Sequence, residues 1–453
     1  MHFTRRRLDR STSSALFAVS LLATCLGVGV ATASCSSSDE PSESSQSVDA
    51  GADATAVTDG SKPDVATERD AGLVDAAALP VVCESTPCVT ALVTTLGANI
   101  DDRSEGFCAL LSDGTVACWG ANGAGQLGRG DDAPTVDSAN AARVTGLTDV
   151  VSLDHTCAVD KNGAVWCWGT GPFLQPDAGA PLAARSPVKL DIPPATKIGT
   201  SYATACAAVS DGLLCWGSNA NGQLQPLTDT PGPTGQPKSI ALPPGGKIEA
   251  ISVGLATFVL RDDGSLTTWG ANPPIGRLSP IFPDPYPQKV PIEGIKATDL
   301  VYDNACATAG GRGYCWGARV QQKQWGGSGL DRAVPEPVIA PEPITDIATT
   351  HTYLIDSEVH PYRWCAVGIS GKAYCWGAND SGQAGDGTQD HAYDATKVVG
   401  LPGPVARIKT TPNTTCALLT SGKVYCWGSN YNGQLGNGEN RGRNFVPAEV
   451  KLP

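Results

Sequence analysis

Cysteine is the residue type with the clearest chemistry in this sequence of 453 residues, which contains 16 of them. Twelve form couples in which the two cysteines are equidistant from a short turn, so that they face each other across a predicted β-hairpin. Directly opposed residues of antiparallel strands have Cβ atoms about 4.5–5.5 Å apart, which is near the distance that a disulfide bridges. The spacing therefore predicts six disulfides: Cys108–Cys118, Cys157–Cys167, Cys206–Cys215, Cys306–Cys315, Cys365–Cys375 and Cys416–Cys426.

Zinc binding and a core of free thiols are the alternatives to these disulfides. Zinc sites favour two cysteines separated by two residues, and this spacing does not occur in the sequence. A buried free-thiol core stays open, because cysteine is a common interior residue. The hairpin that carries Phe258 and Thr268 favours the disulfides, since both cysteines are missing from it together. Cys83 and Cys88 form a seventh predicted pair, next to the first hairpin.

Histidines and glycine-rich turns do not assemble a catalytic or metal site in the sequence. His155 precedes the first cysteine of its hairpin by two residues, and no other hairpin carries a histidine there, so we interpret it as structural. His351 and His360 lack the nearby cysteines or paired acids that would complete a set of metal ligands. Residues 123–128 spell G-x-G-x-x-G, but no amphipathic pattern follows for the helix that a dinucleotide site requires. The sequence predicts no enzyme activity, metal or cofactor.

Short β-strands are the elements that must position these residues. The 52 glycines and 34 prolines are unfavourable for long helices, so the composition excludes a helical bundle or a coiled coil. The formal net charge of −13 provides no basic surface for phosphates, and nucleic acid is therefore not expected as a partner.

A repeat of about 50 residues runs through most of the chain. Each unit contains a hairpin that ends in Trp-Gly, and most units continue with a second turn and a strand rich in Pro and Val. Successive tryptophans are 47 to 60 residues apart, a spacing typical of the four-stranded blades of a β-propeller. The seven tryptophans are Trp119, Trp168, Trp216, Trp269, Trp316, Trp376 and Trp427.

The last unit shows the full motif, Cys426-Trp427-Gly428 followed by Asn430 and by Gly-Gln-Leu-Gly at 433–436. With this motif, residues 89–453 resemble the regulator of chromosome condensation repeat family. The resemblance implies an all-β fold, a seven-bladed β-propeller spanning residues 81–453. Because the first unit begins partway through the repeat, we expect the N- and C-terminal strands to share one blade. The nuclear nucleotide-exchange role of that family is not expected for this chain, because it is acidic and carries an export signal.

The N-terminus has the layout of a bacterial lipoprotein. Residues 1–34 combine basic residues with an apolar stretch, as in a signal peptide, and Cys35 is the predicted lipidation site. Cys25 is a competing processing site, and the alternatives are release as a secreted protein after cleavage near Ser34 or an uncleaved anchor. Residues 35–80 lack aromatic residues and are rich in Ser, Asp and Ala, so we expect a disordered tether of roughly 35–40 Å. Ser36 resembles the residue of outer-membrane lipoproteins, which places the chain in the cell envelope.

Two segments depart from the repeat and carry aromatic residues that suit partner contacts. The predicted contact residues are Phe282 and Tyr286 in the segment 273–291, and Trp325, Tyr353, Tyr362 and Trp364 in the long sixth unit. We therefore expect a monomeric, non-catalytic module that binds a protein or glycan at the cell surface and is tethered to the membrane by lipid. A secreted inhibitor of another protein and a structural envelope component are the alternatives, and an enzyme is disfavoured.

Overall fold

The computed structural model describes residues 76–97, 104–176, 182–227, 234–320, 330–351, 353–355, 358–360 and 363–453. Seven four-stranded antiparallel sheets follow one another along the chain and form the blades of a β-propeller. The predicted all-β, seven-bladed fold is therefore confirmed. No helix in these ranges is long and apolar enough to cross a membrane.

Each blade contains four strands, which follow one another in chain order. Blade 1 consists of Val89–Thr94, Gly106–Leu111, Val116–Gly120 and Ser138–Arg143; blade 2 of Val150–Asp154, Cys157–Asp160, Val165–Thr170 and Ala183–Lys189. Blade 3 consists of Ala195–Thr200, Thr204–Val209, Gly212–Gly217 and Thr234–Ile240; blade 4 of Ile248–Val253, Ala256–Arg261, Leu266–Gly270 and Asp284–Lys289. Blade 5 consists of Ile295–Val301, Asn304–Ala309, Arg312–Val320 and Leu330–Pro337; blade 6 of Ile344–Thr349, Arg363–Gly368, Ala373–Gly377 and Ala392–Lys397. Blade 7 consists of Val405–Thr410, Thr414–Leu419, Val424–Ser429 and Arg443–Glu449. A 3₁₀ turn, Pro172–Leu174, precedes the fourth strand of blade 2, and a small hairpin, Tyr353–Ile355 with Glu358–His360, precedes the second strand of blade 6.

Burial along the strands follows their position in the ring. The second strands of blades 1, 4, 5, 6 and 7 are buried at every residue, because they pack between neighbouring blades. A strand that is covered on both faces reads as a continuous apolar run, such as Cys-Ala-Leu-Leu at 108–111. The fourth strands are mostly half-buried or exposed, since they form the outer edge of each blade.

The repeat tryptophan joins its blade to the one before it. In blades 1 to 5 and in blade 7 its indole is fully buried, and the indole N–H donates to a backbone carbonyl in the loop between the third and fourth strands of the preceding blade. Because both groups are buried, an indole N–H or a carbonyl without this partner would have lost its hydrogen bond to water without replacing it, which would destabilise the fold. The bonds, 2.7–3.0 Å long, join Trp119 to Gln434, Trp168 to Gln126, Trp216 to Phe173, Trp269 to Gln223, Trp316 to Pro274 and Trp427 to Gln383.

The glycine after each tryptophan has a positive φ. Gly120 has a φ of +103°, a region that favours glycine. A Cβ atom on Gly120 would collide with the backbone of Glu105 and Gly106 on the facing strand. In blade 1 the Trp-Gly pair therefore has two roles: the indole reaches the preceding blade, and the glycine lets the second and third strands of its own blade approach.

All seven predicted cysteine pairs are disulfides in the structure. In six blades the cysteines stand directly opposite each other on the second and third strands, with Cα atoms 4.1 Å apart. Blade 4 has Phe258 and Thr268 at the same register positions, as the sequence indicated. By loop-closure entropy, each hairpin disulfide stabilises the fold by about 2–3 kcal/mol.

The expectation that the N- and C-terminal strands share one blade is wrong. Blade 1 and blade 7 are each built from four consecutive strands. The reason is that the chain supplies a complete first strand, Val89–Thr94, which pairs with Gly106–Leu111 and leaves no place for a C-terminal strand.

Glu105 instead closes the ring between blade 1 and blade 7. Its side chain is buried, at 7% exposure. One carboxylate oxygen accepts the backbone and side-chain N–H groups of Asn413, both at 2.9 Å, and the other accepts the hydroxyls of Thr411 and Thr414, both at 2.7 Å. Four hydrogen bonds to one buried carboxylate, together with the Trp119 bond to Gln434, join the two ends of the chain without strand exchange.

Replacing Trp119 with Phe tests the inter-blade bond. The ring bulk is largely kept, but the buried Gln434 carbonyl loses its donor, so we expect the free energy of unfolding to fall by about 1–3 kcal/mol. Trp166→Phe is the matched control, because the half-buried Trp166 donates to Asp160 within its own blade. Chemical denaturation of the oxidised protein measures both, and equal losses would contradict the role of the inter-blade bond.

Candidate binding surfaces

The propeller has two faces with different connections. Because the strands of a blade are antiparallel, the connections between first and second strands and between third and fourth strands lie on one face, which we call the loop face. The hairpin turns between second and third strands and the links between blades lie on the other, the turn face. The long segments 271–283 and 430–442 therefore belong to the loop face, and short turns such as 420–423 belong to the turn face.

The N-terminal segment of the described chain attaches on the turn face. Val82 N–H donates to Thr420 O at 2.7 Å, and Val89 N–H donates to Gly422 O at 2.9 Å. These acceptors lie in the hairpin turn of blade 7. Pro453 lines a cavity on the same face together with Cys88, so both ends of the propeller lie there.

Carboxylates at the ring axis join the first strands of neighbouring blades. Each accepts a backbone N–H of the next blade at 2.7–2.9 Å: Asp154 from Thr200, Asp299 from Thr349 and Asp346 from Ile408. Burial raises the pKa of Asp346 above its ordinary value, although Arg407 and Lys409 act in the opposite direction. These carboxylates hold the inner strands together at the axis.

Two basic groups complete this axial arrangement. Lys409 Nζ donates to Asp299 at 2.6 Å; burial alone would lower the pKa of Lys409, but Asp299 and Asp346 raise it on balance. His155 Nδ1 lies 2.9 Å from Thr94 O and joins blade 2 to blade 1, in agreement with a structural role. The cavity between these groups has a volume of only about 50 Å³. In the part of the chain that the structure describes, no three His, Cys, Asp or Glu side chains form a metal-binding group.

The predicted contact residues of the sixth unit have different outcomes. Trp364 is only 2% exposed and stacks on Trp376 with ring centroids 6.2 Å apart. Its assignment to partner binding is therefore wrong, because it packs in the blade at the position that Phe107 occupies beside Trp119 in blade 1. Trp325 and Tyr362 lie outside the described residues, as does Cys35, and only the backbone of Tyr353 is described.

The predicted residues of blade 4 lie on an exposed apolar segment that runs from the loop before the fourth strand into the start of that strand. Phe282 is 76% exposed and Tyr286 is 50% exposed. Leu278, at 81%, and Ile281, at 44%, extend the same surface and were not singled out from the sequence. We call residues 278–286 the blade 4 loop. A group of large apolar side chains exposed together is typical of an interaction surface.

A buried ion pair holds the blade 4 loop in place. Arg277 Nη1 lies 2.6 Å from Asp284 Oδ2, and both side chains are almost fully buried, at 7% and 2% exposure. Arg277 also donates to the carbonyls of Thr268 and Tyr286, and the Ser279 hydroxyl donates to Asp284 at 2.8 Å. Burial alone would raise the pKa of Asp284, but the hydrogen bonds from Arg277, Tyr286 N–H and Ser279 lower it on balance. The loop therefore presents its apolar side chains on a fixed backbone.

A second candidate surface contains none of the contact residues that the sequence predicted. A cleft of about 950 Å³ opens on the loop face between blades 6, 7 and 1. Tyr431, which is 75% exposed, and Phe445, at 36%, lie beside it. The available signal was Tyr431 itself, which stands where the corresponding turns of other units carry Gly123, Ala220 or Asp380.

Replacing Asp284 with Asn tests the ion pair. Removing one partner of a buried pair leaves Arg277 uncompensated, so we expect a loss of about 3–5 kcal/mol in the free energy of unfolding at neutral pH. Since the folded-state pKa is lowered, the stabilisation is complete above the ordinary pKa of 3.8 and is lost as the pH falls through the folded-state value. The difference between the two proteins, measured by thermal unfolding across pH, should therefore shrink in acid.

Asp113→Asn is the matched control for this experiment. Asp113 pairs with Arg143 at 3.0 Å, but both side chains are about half exposed, at 48% and 49%. Exposed pairs contribute less than about 1 kcal/mol, so the control should unfold much like the original protein. Equal effects of the two substitutions would show that the Arg277–Asp284 pair has no special role.

The chain matches known proteins along most of the propeller. The profile described as Regulator of chromosome condensation (RCC1) repeat matches residues 104–126, 150–175 and 405–434, and a second profile of the same description matches 421–453. The Ultraviolet-B receptor UVR8 of Arabidopsis thaliana is 28% identical over 356 residues, covering 74% of this chain and 78% of the receptor. The human E3 ubiquitin-protein ligase HERC2 is 25% identical over 340 residues, which cover 72% of this chain but 7% of the ligase.

Solved structures agree on the fold. Human WBSCR16 superposes with a TM-score of 0.62 at 17% identity, covering 75% of this chain and 95% of that one. Yeast RCC1 (Prp20), solved bound to Kap60, gives a TM-score of 0.60 at 16% identity and covers 75% of this chain and 84% of its own. Residues 104–126, 150–175 and 405–453 of this chain therefore match regulator of chromosome condensation repeats, and the chain folds as a seven-bladed β-propeller.

Proposed function

We propose that the chain is a non-catalytic binding module that is exported, tethered to the outer membrane through lipid at Cys35, and binds a protein through its loop face. The observation that carries the binding role is the blade 4 loop. Its exposed side chains Leu278, Ile281 and Phe282 are apolar, while the carboxylate of Asp284 accepts hydrogen bonds from Ser279 and Arg277. A surface with this composition offers few hydrogen bonds to a sugar and suits a protein with an apolar pocket.

A fixed loop favours tight binding. Ordering a flexible loop on association costs conformational entropy, and a loop that is already held by a buried ion pair avoids this cost. The same fold serves protein binding elsewhere: the yeast Prp20p structure is described together with its binding to Gsp1p and histones. Those partners belong to Prp20p, and the partner of this chain is defined only by its apolar pocket.

Disulfides support an oxidising location. Seven disulfides fit an extracellular environment, because the cytosol keeps thiols reduced. The basic and apolar segments of residues 1–34 and the small residue before Cys35 support export and lipidation.

The binding surface can be tested in two steps. A photo-crosslinking residue at position 282 in the full chain, expressed in its own cells, captures the bound partner, whose affinity for the chain is then measured with purified proteins. The double substitution Leu278→Ser and Phe282→Ser should weaken that affinity about tenfold or more, since exposed apolar anchors carry most of the binding free energy. Ile339→Ser is the matched control, because Ile339 is 74% exposed but lies on the turn face. A partner that binds the double variant as tightly as the original chain would contradict the proposal.

The anchor is tested by a pair of cysteine substitutions. Cys35→Ser should abolish incorporation of labelled fatty acid and release the chain from the membrane fraction, because the lipidated thiol is missing. Cys25→Ser should leave both properties unchanged. Fatty acid in Cys35→Ser, or its loss in Cys25→Ser, would place the processing site elsewhere.

A further inference from the structure

The cleft between blades 6, 7 and 1 differs in chemistry from the blade 4 loop. We infer that this cleft binds an oligosaccharide. The inference rests on the proposed binding role, because it gives that role a second ligand at a second site of the loop face. The volume of about 950 Å³ is in the range of ligand sites, roughly 300–1,000 Å³.

Two aromatic rings provide the apolar part of the site. Tyr431 is 75% exposed, in the turn that follows the third strand of blade 7. Phe445 packs over Gly382 of blade 6, where a Cβ atom would collide with its ring, and remains 36% exposed. The C–H groups of a sugar ring carry a slight positive charge and pack well on the negative face of an aromatic ring.

Three amide side chains provide hydrogen-bond acceptors with a defined orientation. The amide nitrogens of Asn413, Asn432 and Gln389 donate to Glu105, Asp137 and the Asp380 carbonyl at 2.9, 2.7 and 3.0 Å. Each NH₂ group thereby uses one of its two N–H donors on the protein, which fixes the amide plane and leaves the amide oxygen as an acceptor that a ligand can use. Sugar hydroxyls are donors of the kind that such oxygens bind.

The charges of the cleft are few. Glu105 lines it, but its two oxygens already accept four hydrogen bonds from Asn413, Thr411 and Thr414. Among the described lining residues Arg443 is the cation; its Nη1 donates to the Asp380 carbonyl at 3.1 Å, and the side chain is otherwise exposed. One exposed guanidinium suits an oligosaccharide with a carboxylate, such as one that contains a uronic acid.

A protein partner fits this cleft less well than a sugar. The lining side chains other than Tyr431 and Phe445 are polar, and they include serines at 104, 381 and 429. Protein interfaces bury apolar anchors at their centre, as the blade 4 loop would, whereas in the cleft the aromatic rings are surrounded by amides and hydroxyls. The two surfaces of the loop face thus favour two classes of ligand.

The test uses the oxidised full chain and a panel of immobilised neutral and uronate-containing oligosaccharides, followed by titration calorimetry with the saccharide that binds. Tyr431→Ala should weaken binding about tenfold or more, and Arg443→Ala should weaken only the binding of uronate-containing members. Tyr393→Ala is the matched control, because Tyr393 is 53% exposed on blade 6 and does not line the cleft.

Two results would overturn the assignment. One is a panel without a saturable ligand. The other is a Tyr431→Ala variant that retains saccharide binding but loses the protein partner captured at position 282, since the cleft would then belong to the protein interface. The substitutions Leu278→Ser and Phe282→Ser should leave saccharide binding unchanged, so that failure of the cleft and failure of the blade 4 loop are distinguished.

Discussion

The hydrogen bond from the repeat tryptophan to the preceding blade is the interaction on which the propeller depends. In six of the seven blades it explains two features of the unit at once: the indole that reaches across, and the loop of the preceding blade whose carbonyl accepts the bond. In blade 4 the loop sequence changes to Asn272-Pro-Pro-Ile, yet Trp316 still finds its acceptor at Pro274. A blade is thus completed only by its neighbour, and the stability of the ring is a property of junctions rather than of single sheets.

Features that recur along the chain could be predicted from the sequence, whereas features that occur once could not. The cysteine couples and the Trp-Gly pairs recur at fixed distances from the turns, so their partners followed from strand register. The ring closure could not be deduced in the same way, because Glu105 and its hydrogen-bond donors on blade 7 are more than 300 residues apart and have no counterpart in the repeat pattern. Trp364 was misassigned because it follows a long insertion; aligned with Phe107, it occupies a core position.

The candidate surfaces occur where the repeat is altered. Blade 4 lacks the cysteine pair and the usual turn, and there a buried ion pair fixes an exposed loop. Blade 7 keeps the usual turn but has a tyrosine where blades 1, 3 and 6 have small or acidic residues. In both places the loop keeps its bond to the tryptophan of the next blade, while its exposed side chains differ. Changes of this kind alter what the loop face binds without altering the junctions that hold the ring.

Closure without strand exchange also bears on how the chain can be connected. Every blade is made of consecutive residues, so the last and first blades share no strand. The ends of the propeller lie on one face, where Pro453 and Cys88 line a common cavity. A short linker between them, with a new opening cut between any two other blades, would leave all seven sheets whole. The architecture therefore admits circular permutation, in which a different blade comes first in the chain and the same seven sheets form.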